Sequence, residues 1–278
     1  LSDEQLLRAQ APEVSAAKAR RWGSFYFMEH MLRSMRAYVV TIVVTSVGNP
    51  LLYLFSMGVG LASIVDRSPT AHFAGVGYLA FAAPALLVSS SVMTCANEMM
   101  FPVMDGFKWR RVYYGPHVTP LVPGQLAAGH MMAVGVRLLV QCSVFFLIML
   151  GFGAAMSPSS WLIIPVGVLA GMAFGTPLMA YAARIDKENF QFSMIQRFIV
   201  MPLFLFSGTF YPLETMPQAM QWIGWISPLW HGNQLGRLAT IGLTEPLWLV
   251  AVHVVYLAGL GVGGMIWARR NYARRMSA

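Results

Sequence analysis

The chain has 278 residues (30.7 kDa), of which 57% are hydrophobic and only 11% charged, and its mean hydropathy is +0.59. This excludes intrinsic disorder and leaves too few charges to cover a soluble globule of this size, so the remaining class is an all-α polytopic membrane protein. The net charge of +8 is carried by short basic clusters between long uncharged stretches, which fits orientation in a membrane and not a nucleic-acid-binding face.

Residues 1–14 read as a polar tail, with no cleavable leader, so the first apolar span is expected to act as the insertion signal. Residues 15–36 read as an amphipathic helix at the inner surface. Phe25, Met28, Leu32, Met35 and Val39 form its apolar stripe, and Lys18, Arg20 and Arg33 lie largely off it. A plain basic juxtamembrane flank is the alternative, and either form would favour anionic membrane lipid.

Six spans follow, since about 20 apolar residues are needed to cross about 30 Å of hydrocarbon. They are placed at 38–61, 75–96, 125–151, 161–183, 190–210 and 246–268, with a basic cytoplasmic tail at 269–278. An even number puts both termini on one side. If that side is cytoplasmic, it holds fifteen of the nineteen Lys and Arg residues, Arg137 and Arg197 lie within spans, and only Arg67 and Arg237 face outward. In span one, Pro50, Gly58 and Gly60 mark either a kinked packing helix or a moving gate.

The loop FPVMDGFKWRRVYYGPHVTPLVPG after span two has turn signals at Asp105-Gly106 and Gly115-Pro116 and is expected to hold a short helix over 107–114. Its mixture of aromatic and basic residues suits either a docking knob for a soluble partner or an interfacial aromatic belt. Between spans five and six, residues 217–241 are too polar and Pro-broken for a further crossing and too apolar for a plain loop. Two short helices broken at Ser227-Pro228 are expected, either re-entrant from the outer side or flat on the outer interface.

The search for chemistry is negative. The three lysines, Lys18, Lys108 and Lys187, complete no phosphate-binding loop, and GxGxxG, HExxH and GxSxG are absent. The six histidines show no ligand spacing on one helix face, Cys95 and Cys142 read as packing residues, and Asp186 and Glu188 belong to a solvated turn. The intramembrane polar residues are Glu98, Arg137 and Gln141; a Glu98–Arg137 contact would neutralise both charges.

The segments PLLYLFSMGVGLA (50–62), YLAFAAPALL (78–87), TPLVPGQLAAGH (119–130) and FSGTFYPLETMPQAMQWIGWISPLWH (206–231) resemble, in order and spacing, type-2 ATP-binding-cassette (ABC) exporter permeases. The similar branch includes nodulation J lipo-oligosaccharide exporters and antibiotic-resistance permeases. The resemblance implies a six-span subunit that dimerises with a second copy or paralogue, and a separate ABC ATPase on each half, which binds ATP and Mg, so that this chain needs no cofactor and is not itself an enzyme. It further implies a connecting helix at 15–36, re-entrant outer helices at 217–241, and a coupling element carried by Phe107, Trp109, Arg110, Arg111, Tyr113 and Tyr114. The KWRR at 108–111 departs from the acidic residues of many members. Phe55, Met57, Phe198, Met201, Phe204 and Phe206 are the expected lining of a path for an amphiphilic or hydrophobic cargo, such as a drug, polyketide, lipid or glycolipid. A secondary transporter or channel is the competing reading, but the spans lack the acidic chains of ion coupling.

Overall fold

In hydrocarbon, each backbone amide and carbonyl must be paired within its own segment, so an apolar chain of this length resolves into helices. The computed structural model describes residues 12–67, 73, 75–117, 119–186 and 190–277. Among them the only β pairing is an isolated bridge between Phe73 and Val76. The helices are α1 (Pro12–Met35), α2 (Val39–Phe55, continuing through a π turn at Ser56–Leu61 to Val65) and α3 (Tyr78–Met104, extended by a π turn at Asp105–Trp109). There follow α4 (Tyr114–His117), α5 (Pro123–Gly151), α6 (Ile163–Arg184), α7 (Gln191–Phe206), α8 (Gln218–Ile226), α9 (Pro228–Ile241) and α10 (Leu247–Met276).

Five helical runs among the described residues are long and apolar enough to cross a membrane: 16–65, 78–109, 123–151, 160–184 and 247–276. The fifth expected span is shorter than its sequence suggested. α7 ends at Phe206, which gives it about 24 Å at 1.5 Å per residue, and the chain then turns through Ser207–Gly208. Gly208 requires the left-handed region (φ +69°), which ends the helix there.

α3 and α6 form the centre. Gly167, Gly171 and Gly175 recur every fourth residue of α6 and lie against α3 and α5. A Cβ on them would meet Cys142 Sγ at 2.8 Å, Ser91 Oγ at 2.7 Å and Cys95 Sγ at 2.3 Å. Small residues at this spacing let two helices approach more closely than side chains would allow. Both cysteines are therefore packing residues in these close contacts, and both are free and buried. Ser91 Oγ adds a hydrogen bond to Gly167 O at 2.7 Å. α10 closes the far side of α6, with Thr176 Oγ1 donating to Gly261 O (2.9 Å) and Asn271 Nδ2 to Ala180 O (2.8 Å).

The N-terminal helix is present, and its packed stripe keeps Met35 of the expected one but is otherwise shifted. Gly23, Phe27 and Met35 face the bundle, while Phe25 is half exposed. Gly23 and Gly129 set this choice: a Cβ on Gly129 would lie 2.6 Å from Ser24 O, so the two backbones meet there and not at the Phe25 side. Gln125 anchors the contact, accepting from Val122 N (3.1 Å) and donating to Arg20 O (2.6 Å). Residues 12–14 already belong to α1, and residues 1–11 lie outside the described residues. The expected basic tail at 269–278 is also helical as far as Met276: Tyr272 is buried and Arg275 Nη1 donates to Ala183 O at 3.0 Å.

Candidate functional site

Two features stand apart from ordinary helix packing: a turn at one end of the bundle and a polar cavity along one flank. The turn follows α3. Arg110 N and Arg111 N both donate to Asp105 O (3.0 and 3.1 Å), and Arg111 takes a left-handed conformation (φ +53°), which returns Tyr113 N to Gly106 O at 3.1 Å. A non-glycine residue there costs on the order of 1 kcal/mol, a sign that the turn's shape is held from outside. The expected helix over 107–114 is therefore replaced by the π turn, a tight reversal and the four-residue α4.

This geometry divides the six residues expected to couple. Trp109, Arg110, Arg111 and Tyr114 are exposed, whereas Phe107 and Tyr113 point inward and are buried. Gly106 permits this arrangement, because a Cβ on it would fall 2.3 Å from the Tyr113 ring. Phe107 and Tyr113 pack edge to face at 4.8 Å, Phe107 also meets the Tyr272 ring at 4.7 Å, and the Arg275 guanidinium lies 4.6 Å over Phe107. Arg110 is clamped by Asp105, with Nε 2.8 Å from Oδ2. Burial pushes the Tyr113 phenol well above its ordinary value, so it remains a hydroxyl. The exposed part of the turn is thus a basic and aromatic cap on an aromatic base.

The cavity has a volume of about 400 Å³ and opens on the flank formed by α2, α3 and α7. Nine of its thirteen lining residues carry a polar group: Thr45, Asn49 and Tyr53 from α2, Ser90, Thr94, Asn97 and Glu98 from α3, Arg137 from α5 and Gln196 from α7. Leu86, Met93, Met201 and Phe204 form the apolar remainder. Glu98 and Arg137 make an ion pair in its wall, and their side chains are only 13% and 15% exposed. Gln141 lies one helical turn further along α5 and donates to Ser90 Oγ at 2.8 Å. Arg137 Nε and Gln196 Oε1 are buried without a hydrogen-bond partner among the described residues. Among the described residues one donor and one acceptor are thus unmatched, beside a cavity that polar side chains line. Of the six apolar residues expected along a path, Met201 and Phe204 line this cavity. Phe55 and Phe198 are exposed, Met57 packs half-buried against the core and Phe206 is half buried. The π turn at Gln196–Val200 begins with Gln196, which lines the cavity, and such bulges recur at functional sites.

At the opposite end, α8 and α9 break at Ser227-Pro228, where Ser227 Oγ caps α9 by accepting from Leu229 N (3.2 Å), and α9 folds back against α3 and α6. Arg237, counted from the sequence among the residues of the outer side, is buried there. Its Nη2 donates to Gly208 O (2.5 Å), its Nε donates to Phe81 O (3.2 Å), and its guanidinium stacks 3.7 Å from the Phe81 ring. Arg237 therefore holds the Ser207–Thr209 turn onto α3. Sequence reasoning also missed a histidine pair. His231 and His253 stand 22 positions apart, and their Nδ1 atoms lie 2.6 Å from one another. His231 Nε2 lies 3.0 Å from Trp225 O and His253 Nε2 lies 3.2 Å from Glu245 Oε2. No group among the described residues has the make-up of a metal site.

The model of the family described as ABC-2 type transporter matches residues 26–239. The chain belongs to the ABC-2 type transporter family. It is therefore a multi-pass membrane protein and the membrane subunit of an ABC transporter, a family whose members work with an ATP-binding subunit. Among curated proteins, this permease is similar to Nodulation protein J of Rhizobium leguminosarum bv. viciae, with 25% identity over 76% of this chain and 79% of the relative. It is similar also to Nodulation protein J of Sinorhizobium fredii (25% identity, 80% and 83% covered) and of Rhizobium meliloti (22% identity, 87% and 89% covered).

Proposed function

We propose that this permease is the membrane half of an exporter that moves an amphiphile, such as a drug, polyketide, lipid or glycolipid, across the cytoplasmic membrane. Both termini and the 105–117 turn face the cytoplasm, as the distribution of Lys and Arg favours. Two copies, or one copy and a paralogue, form the conduit. Two ABC ATPase subunits supply the energy, and ATP and Mg are bound on those subunits, since this chain has no phosphate-binding loop.

The observation that carries the reading is the open polar cavity. Amide, hydroxyl and charged groups at the depth of apolar helices cannot face lipid without a large desolvation cost, so they face water, cargo or another protein. A second copy set against the α2–α3–α7 flank would turn this groove into a closed passage. Its polar wall suits the head of an amphiphile, and Met201 and Phe204 suit the apolar part. Trp109, Arg110, Arg111 and Tyr114 form the ATPase dock, because Trp, Tyr and Arg dominate interface hot spots and these four are exposed together.

The test is a Trp109→Ala, Arg110→Ala variant of the permease, co-expressed with its ATPase. The variant is expected to lose co-purification of the ATPase while keeping its own fold in detergent. Undiminished co-purification and export would overturn the docking assignment.

A further inference from the structure

The cap turn and the cavity are joined by a buried chain of hydrogen bonds, and its origin is a proline. Pro102 lies inside α3 and has no amide hydrogen, so the carbonyl of Glu98, four residues earlier, loses its helical donor. His130 of α5 replaces that donor, with its Nε2 3.0 Å from Glu98 O. A carbonyl only accepts, so Nε2 carries the proton and Nδ1 of the neutral ring is left as an acceptor. The Tyr113 hydroxyl, 2.7 Å from Nδ1, donates to it, and the Tyr272 hydroxyl in turn donates to Tyr113 at 3.1 Å. The chain thus runs in one direction, from Tyr272 through Tyr113 and His130 to Glu98 O. All three side chains are buried, so water does not compete for these bonds.

The two ends of this chain matter. Tyr113 belongs to the turn that exposes Trp109, Arg110 and Arg111. Glu98 turns its carbonyl to His130 and its carboxylate to Arg137 in the cavity wall. Beyond Pro102 the helix passes into the wider π turn at Asp105–Trp109, so α3 has a hinge between cavity and cap, and His130 is a buried polar strut across it.

We propose that His130 is a positioning residue that couples the cap turn to the cavity. A displacement of the turn is carried by Tyr113 to His130, moves the freed Glu98 carbonyl, and so shifts the Glu98–Arg137 pair at the cavity wall. The proposal rests on the reading of the turn as the ATPase dock.

The test uses the full complex with its ATPase in lipid nanodiscs. An Asn49→Cys substitution labelled with bimane reports on the cavity; the native cysteines are fully buried and stay unlabelled. The readout is the change in bimane emission when ATP and vanadate are added. Tyr113→Phe keeps the ring and removes the donor to His130, and is expected to reduce that change at least about five-fold while the ATPase still co-purifies and hydrolyses ATP. His130→Gln offers one donor and one acceptor at nearly the same spacing as the imidazole nitrogens and is expected to retain the change, which a purely structural requirement for the ring would not allow. Pro102→Ala returns the helical donor to Glu98 and is expected to reduce the change as Tyr113→Phe does. A full emission change in Tyr113→Phe or in Pro102→Ala overturns the relay and leaves the dock standing. No ATP-dependent change in the unsubstituted complex overturns the dock and the relay together.

Discussion

Glu98 and Arg137 offer the sharpest energetic test of the cavity. Their side chains are 13% and 15% exposed, and they sit in a wall that also carries Ser90, Thr94 and Asn97. Removing one partner of a fully buried pair costs about 3–5 kcal/mol, because the other charge is left uncompensated. Here the surviving charge retains some solvent and nearby hydroxyl and amide groups, so about 2–3 kcal/mol is expected for Glu98→Leu or Arg137→Met. The double substitution strands no charge and should cost less than the two single ones together, by a coupling of about 2 kcal/mol. The assay is equilibrium unfolding of the purified permease in mixed micelles, completed as a double-mutant cycle. A coupling below about 0.5 kcal/mol, the range of exposed pairs, would show that the pair is solvated and that the cavity is far wetter than its geometry indicates.

Gly175→Ala places a methyl 2.3 Å from Cys95 Sγ and 3.0 Å from Met99 Cγ, and should destabilise the bundle by about 1–3 kcal/mol, whereas Gly259→Ala, with nothing within 4 Å, should be neutral or slightly stabilising in the same unfolding assay. Arg237→Lys keeps the charge but loses the fork that spans Phe81 O and Gly208 O, so proteolysis between α7 and α8 should become faster while the rest of the chain stays resistant. Burial and the nearby Glu214 raise the Glu245 carboxyl above its ordinary range. Its contribution to stability is therefore complete below the ordinary carboxylate value of about 4.3 and is lost as pH rises through the folded value. Unfolding midpoints should decline over that window, and Glu245→Gln, whose amide can still donate to His253, should remove the decline.

The long apolar runs could be read directly, since charge-free stretches of about 20 residues permit little other than membrane helices. The break at Ser227-Pro228 was equally legible, because proline suits the first turn of a helix and serine its cap. The ends of elements were not. α7 was read through to Phe210 because hydropathy continues, while the left-handed Gly208 stops the helix. The stripe of α1 was misplaced because Gly23 and Gly129, which carry no hydrophobic signal, decide where two backbones meet. At the site, Glu98, Arg137 and Gln141 stood out as costly polar residues in apolar surroundings. The relay did not: His130 looked like one of six scattered histidines, and only the fold brings Tyr113 and Tyr272, far apart in sequence, to the same ring. The signal that could have found it was Pro102, which guarantees an orphaned carbonyl at Glu98 that some donor must meet. The burial of Arg237 was illegible for a related reason: its partners are backbone carbonyls, which no composition reveals.

The central claim is that this chain is a passage whose energy comes from another polypeptide. The direct measurement is transbilayer movement of a fluorescent acyl-chain amphiphile in proteoliposomes, containing the permease alone or with its ABC ATPase, with and without ATP and Mg. ATP-dependent accumulation against a gradient is expected only when both proteins are present. Accumulation by the permease alone would contradict the account.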